Sequence, residues 1–332
     1  MPERPIIYCM TTMHESGMNL LHEAGEVHMA SALDPETLRR EVVEADAIVT
    51  RTHGDIDADL MDCAPRLVVI GRHGVGYDQI DIPAATERGI QVLTTPGANV
   101  EAVVEHALAF LIGLSKHFPQ QMAALNSGQY HNRTKWMGRD LTGRTLGIIG
   151  FGRIGKRMGV LCHQAFGMKV LYNDIVEIPQ AAELAAGARR VELNELLACS
   201  EYITLHVPLD ASTRRMIDRG ALSKMQPETI LINTCRGPVV DESAVAEALD
   251  AGRLWGYGAD VFDIEPPPPD HPLVGRPDVM LTPHSAAQTV ESLRNMASWV
   301  AEDVIGYLRG EPPKRPVNDP ARVLENRRQR RL

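Results

Sequence analysis

At 332 residues the chain is long enough for two domains. Its composition is that of an ordinary globular protein, and a net charge of −9 offers no basic field to nucleic acid or to an acidic membrane. The N-terminus has no signal-like apolar core and no apolar run reaches membrane-spanning length, so neither nucleic acid nor membrane is an expected partner. The cysteines, Cys9, Cys63, Cys162, Cys199 and Cys235, are scattered and include no CxxC pair. That pattern fits a reducing, cytoplasmic compartment, with the thiols as small apolar fillers and no metal site.

In chain order, short apolar runs alternate with helical segments. The runs are PIIYCM, AIVT, LVVIGR and IQVL, then TLGIIG, KVLYND, YITLHV, TILINT, WGYGADVF and VMLTPH. Several are rich in Val and Ile and read as buried strands of parallel sheets. Helical periodicity falls between them, at Pro35–Glu44, Arg153–Phe166 and Asp241–Ala251. Asn99 can cap an apolar helix that should run to about Asn126, and a second long helix is expected over Thr289–Leu308. About ten strands exceed one compact doubly wound sheet, so two sheets are expected. The C-terminal ARVLENRRQRRL, with its five arginines, reads as a solvated tail.

The run TLGIIGFGRIGKRMG places Gly150, Gly152 and Gly155, with Arg153 and Ile154 between them, directly after a strand and at the start of a helix. In that context GxGxxG is a dinucleotide fingerprint. Gly150 permits the tight turn, Gly152 lets backbone approach a pyrophosphate, and Gly155 lets helix and strand pack closely. The anion would rest on the helix N-terminus. Asp174 ends the next strand, where a carboxylate holds the adenosine ribose hydroxyls and repels a 2′-phosphate, so NAD is expected rather than NADP.

A nicotinamide enzyme needs a proton donor near the carbon that exchanges hydride. Arg236, Glu265 and His284 each stand at or just past the end of a predicted strand, where ligands bind in open parallel sheets. His284 can give or take the alcohol proton. A carboxylate beside it favours imidazolium, so Glu265 can raise its pKa and orient it. Arg236 offers two parallel donors to the carboxylate of an α-oxo or α-hydroxy acid. The four prolines after Glu265, with Pro272, would brace its loop.

The ordered motifs RHGVGYDQID, NVEAVVEHAL, DLTGRTLGIIGFGRIG, INTCRGPVVDE, GADVFDIEPPPPDHPL and TPHSAAQT resemble those of the D-isomer-specific 2-hydroxyacid dehydrogenase family over nearly the whole chain. The resemblance implies an α/β protein of two doubly wound parallel-sheet domains with a cleft between them. One is a Rossmann-type NAD domain at 99–288. The other is a smaller flavodoxin-like substrate domain at 1–98, completed by 289–332. It implies that Arg236, Glu265 and His284 are the catalytic set, that the Gly74–Val75 backbone binds the substrate carboxylate, and that Asp260 contacts the nicotinamide side. It further implies homodimers through the cofactor domains and a small 2-hydroxy or 2-oxo acid as substrate; Trp136, in the loop before GRDLTG, is expected at a dimer boundary. Glutamate at 265, where formate-oxidising members carry glutamine, argues against formate.

Arg51 and His53, and Arg72 and His73, follow first-domain strands. They suggest a wall suited to a polar or anionic group beyond C2, as in hydroxypyruvate, glyoxylate or a phosphoglycerate-like acid. The same fold also serves as an NAD-sensing corepressor, a binding function that would hold NADH without oxidising it.

Overall fold

The structure, a computed structural model, describes residues 4–51 and 54–330. Two compact units divide the chain. One takes the described residues up to Asn99 together with those from Gln288 onward, and the other is Val100–Ala287.

The first unit carries a five-stranded parallel sheet. Its strands are β1 (Ile6–Cys9), β2 (Glu26–Met29), β3 (Ala47–Thr50), β4 (Val69–Arg72) and β5 (Gln91–Leu93), in the order β2-β1-β3-β4-β5. That is the doubly wound order of flavodoxin-like sheets. Strand alternation explains the layering. Tyr8, Ile48, Ile70 and Val92 point into one core, while Ile7, Cys9, Ala47, Val49, Val69 and Leu93 point into the other. The second core is closed by the helix Val290–Leu308 through Ala297, Val300, Ala301 and Val304.

The second unit carries a seven-stranded parallel sheet. Its strands are β6 (Thr145–Ile149), β7 (Lys169–Asn173), β8 (Ala188–Arg190), β9 (Tyr202–Leu205), β10 (Ile230–Asn233), β11 (Gly256–Ala259) and β12 (Val279–Leu281). The order β12-β11-β10-β9-β6-β7-β8 reverses between β6 and β9, which is the Rossmann arrangement extended by one strand. Leu146, Ile148, Val170, Tyr202, Ile230 and Ile232 face the helix Val100–Ser115 in one core. Ile149, Leu171, Ile203, Leu205, Leu231 and Tyr257 fill the other.

Three expectations are corrected. β2 and β8 are edge strands read as "EVHM" and "ARR", too short and polar to register as apolar runs. The long helix expected from Asn99 to Asn126 is two helices, Val100–Ser115 and Phe118–Asn126. It breaks at His117, which is left-handed at φ 54°, two residues before Pro119. The arginine-rich C-terminus is not a free tail. Pro320–Arg330 is a helix with Val323 fully buried. Arg327 donates to the Gly89 and Val68 carbonyls and to the Tyr307 hydroxyl. Ahead of that helix, Asn318 extends β5: its side chain accepts from Val92 N at 2.9 Å and donates to Ile90 O at 2.9 Å.

Candidate active site

β6 runs straight into Gly150, whose φ of 89° suits glycine alone. A Cβ there would press on the His206 carbonyl, which follows β9 across the point where strand order reverses. A Cβ on Gly155 would overlap the Gly150 carbonyl, so helix Arg153–Phe166 can approach β6 this closely only with glycine. At Gly152, the N-cap, a Cβ would meet nothing within 4 Å, and no side chain caps the first turn. An open backbone face over an uncapped helix N-terminus is what a pyrophosphate needs. The residues therefore fit a dinucleotide, with Arg153 and Ile154 in the turn beneath it.

The Asp174 carboxylate accepts from the Phe151 N–H at 2.6 Å and the Val176 N–H at 2.9 Å. It thus ties the glycine turn to the end of β7 and remains at the edge where the adenosine ribose would lie. His206 was not foreseen from sequence. Burial pushes its imidazole down to about 3, so it is a neutral group beside the turn.

Arg236, Glu265 and His284 come together within this unit. The His284 Nδ1 lies 2.7 Å from Glu265 Oε2, while Glu265 Oε1 accepts from the Phe262 N–H at 3.0 Å. Burial pushes the Glu265 carboxyl up. The hydrogen bonds from His284 and Phe262 and the charges of His284 and Arg236 outweigh that, so the net direction is down from the ordinary carboxylate value. Glu265 is therefore an anion at neutral pH. An ionised carboxylate can only accept, so the Nδ1 carries the proton and donates it, leaving Nε2 as the atom free to exchange one.

His284 is left-handed at φ 51°. A non-glycine residue there costs about 1–3 kcal/mol and persists only where its surroundings over-determine it. Here the brace is Asp260, 1% exposed. Its carbonyl accepts from the His284 N–H at 2.8 Å, and its carboxylate accepts from Ser285 N (2.7 Å), Ala286 N (2.8 Å) and the Thr282 hydroxyl (2.5 Å). His106 continues this chain, its Nε2 2.8 Å from Thr282 Oγ1. Asp260, which family resemblance places on the nicotinamide side, thus holds the histidine loop in this structure.

The Arg236 loop is built by buried Asn233 at the end of β10. Its Oδ1 accepts from Cys235 N at 3.1 Å and its Nδ2 donates to the Arg236 carbonyl at 2.9 Å. Gly237 then lies flat on the neighbouring loop, where a Cβ would overlap the Phe262 carbonyl and the Asp263 nitrogen. Asn233 and Gly237 are among the residues that sequence reading missed. Only their position beside named catalytic candidates, in the motif INTCRGPVVDE, could have marked them.

In the first unit, Arg51 follows β3 and Arg72 ends the adjacent β4. Arg51 donates to Gln288 Oε1 at 2.9 Å and Arg72 Nε to the Gly76 carbonyl at 2.7 Å. His53 lies outside the described residues. His73 is corrected: it is 3% exposed, and burial, with Arg51 and Arg72 nearby, pushes it down to about 4. It is a neutral core residue and adds no charge. Gly74, at φ 133°, spends its own N–H on the Thr95 hydroxyl at 3.0 Å. Among the described residues the Val75 and Gly76 N–H groups have no protein acceptor.

The second unit so constituted is a dinucleotide-binding domain with an Arg–Glu–His cluster at its C-terminal strand ends. Residues 108–286 match the family model for the NAD-binding domain of D-isomer specific 2-hydroxyacid dehydrogenases, and the chain belongs to that family, with NAD as its cofactor. It is 38% identical over 309 residues to D-3-phosphoglycerate dehydrogenase of Archaeoglobus fulgidus, covering 92% of this chain and 58% of that one. The chain thus spans little more than half the length of that relative. It is 36% identical to glyoxylate reductase of Thermofilum pendens, covering 95% of both. The crystal structure of D-lactate dehydrogenase from Aquifex aeolicus, complexed with NAD and lactic acid, is similar at a TM-score of 0.85 and 28% identity, covering 95% of this chain and 99% of that one. No described helix is long and apolar enough to cross a membrane.

Proposed function

We propose that the protein is an NAD-dependent oxidoreductase that interconverts a small D-2-hydroxy acid and its 2-oxo acid, with His284 as general acid and base. The observation that carries this reading is the 2.7 Å His284–Glu265 pair in a domain of the NAD-binding family. Bound NAD(H) supplies the hydride acceptor or donor, and the chain's own residues handle the proton and the substrate charge. Glu265 keeps the Nδ1 protonated, so Nε2 delivers a proton to the carbonyl oxygen in reduction and removes it from the hydroxyl in oxidation. Arg236 holds the substrate carboxylate and polarises the carbonyl.

Asp174 selects NAD. Asp174→Ala should weaken NADH binding by roughly 1.5–3 kcal/mol, the range for hydrogen bonds to a charged group, and narrow the preference over NADPH. Titration of both cofactors checks this, and equal affinity for the two in the unmodified protein contradicts it.

The substrate is a small polar acid such as hydroxypyruvate or glyoxylate, or a phosphoglycerate-like acid. Relatives named glyoxylate reductase and D-3-phosphoglycerate dehydrogenase support this, as do Arg51 and Arg72 at the C-terminal edge of the first sheet. The test is kcat/KM for hydroxypyruvate and 3-phosphohydroxypyruvate against pyruvate and 2-oxoisocaproate, in wild type and Arg51→Ala. The polar acids should lead and should lose most in the variant. A lead for 2-oxoisocaproate, or equal losses for all four, contradicts the assignment.

Phe118, Met122 and Leu125 are exposed at i, i+4 and i+7 of the helix Phe118–Asn126, and Tyr130 and Met137 are exposed beyond it. They support pairing with a second copy, near Trp136. The buried thiols of Cys9, Cys162 and Cys235 support a reducing, cytoplasmic setting.

A further inference from the structure

The prolines after Glu265 stiffen its loop, but stiffness alone does not anchor it. Behind the loop stands a second histidine–glutamate pair, His271 and Glu242, with side chains 7% and 9% exposed. Glu242 begins the helix Glu242–Asp250. Its Oε2 lies 3.1 Å from His271 Nε2 and also accepts from the Asp263 N–H at 3.3 Å. One carboxylate oxygen therefore holds both legs of the loop, before and after the proline run. The Leu273 N–H donates to His271 Nδ1 at 3.4 Å, which leaves the ring proton on Nε2, directed at Glu242. The His271 ring also meets the Phe262 ring edge-on, with centroids 5.6 Å apart, and the Phe262 N–H is the donor to Glu265 Oε1.

We propose that His271 and Glu242 are positioning residues for the reaction: a buried pair that pins both legs of the Phe262–Leu273 loop to one helix and so fixes Glu265 against His284. This rests on the reading of Glu265 as the partner that orients His284 and holds the proton on its Nδ1. Neither His271 nor Glu242 touches His284, so both act through Glu265.

The test is a double-mutant cycle on the full chain. Wild type, Glu265→Gln, His271→Ala and the double variant are compared by kcat/KM for NADH-dependent reduction of hydroxypyruvate across pH. Thermal melts confirm folding. His271→Ala should lower kcat/KM by up to about 10²-fold, the scale of a small misplacement of a reacting group. It should also change the pH profile in the same way as Glu265→Gln does. In the Glu265→Gln background the same change should cost less than about twofold, because the two act in series. His271→Gln keeps a donor for Glu242 and should recover most of the loss; His271→Phe fills the same space without a donor and replaces alanine in the cycle should His271→Ala melt below assay temperature. Equal fold-losses in both backgrounds, or a wild-type profile in His271→Ala, overturn the proposal. A wild-type profile in Glu265→Gln itself overturns the underlying reading instead.

Discussion

Replacing His284 by alanine should lower kcat by about 10²–10⁴, the usual worth of a positioned general acid or base, with NADH binding nearly unchanged. The glycine turn and Asp174 lie on β6 and β7, while His284 follows β12, so the substitution leaves the dinucleotide contacts alone. Alanine keeps the left-handed backbone under strain, and the Asp260 hydrogen bonds to the loop remain, so the loss reports the missing imidazole. In wild type, reduction needs imidazolium and its rate falls as pH rises through the histidine limb. Oxidation needs the neutral ring and falls as pH drops through it. Glu265, held below the ordinary carboxylate value, stays charged through both limbs and is discharged only in strong acid. Glu265→Gln removes that charge and the acceptor that holds the Nδ1 proton, so the pH profiles in both directions should change. Steady-state rates in both directions check the pair of signs.

Gly237→Ala should cost more in stability than any other single methyl in this region. The added Cβ would overlap backbone, the Phe262 carbonyl and the Asp263 nitrogen, and backbone cannot swing aside as a side chain can. The expected destabilisation is at or above the upper end of the about 1–3 kcal/mol typical of overpacking. Activity should fall by roughly 10²-fold or more in whatever folds, since parting these loops displaces Arg236 and Glu265 together. Gly152→Ala is the matched control. Nothing lies within 4 Å of a Cβ at that position, so stability should hold while NADH affinity falls. Thermal melts and NADH titration of the two variants separate the outcomes. A Gly237→Ala protein with wild-type melting and turnover contradicts the close approach.

The sheets of this fold were legible because their central strands are apolar on both faces. β6, β9 and β10 read as runs dominated by Ile and Leu for that reason. β2 and β8 were hidden because an edge strand needs only one paired side and tolerates Glu, His and Arg. The arginine-rich C-terminus misled for a related reason. Charge density marks a solvated segment on average, yet Arg327 finds two carbonyls, and its guanidinium lies 5.3 Å from the centre of the Tyr307 ring. His73 misled as a charge because sequence carries no burial. It stands next to Arg72, but only the fold reveals that it points into the core.

The same limit explains what was missed around the site. Arg236, Glu265 and His284 stand out in sequence because each is an ionisable residue at a predicted strand end. Glu242 holds the Asp263 N–H and His271, and Thr282 donates to Asp260, across distant segments, while Asn233 ties down the Cys235 and Arg236 backbone beside it. Such pairings have no periodicity to read. The proline run is the intermediate case, visible as stiffness in the sequence, while the pair that anchors it is visible only in the fold.

The central claim is that the protein turns over NADH rather than merely holding it. Its most direct test is the absorbance of NADH mixed with the purified protein and hydroxypyruvate or glyoxylate at neutral pH, with the product resolved on a chiral column. NADH should be consumed in proportion to 2-oxo acid, with a hydroxy acid formed in equal amount, and from hydroxypyruvate the D-enantiomer alone. NADH that binds but is not oxidised by either acid, or by the wider panel of 2-oxo acids, would contradict it and leave a dinucleotide-binding protein in place of an enzyme.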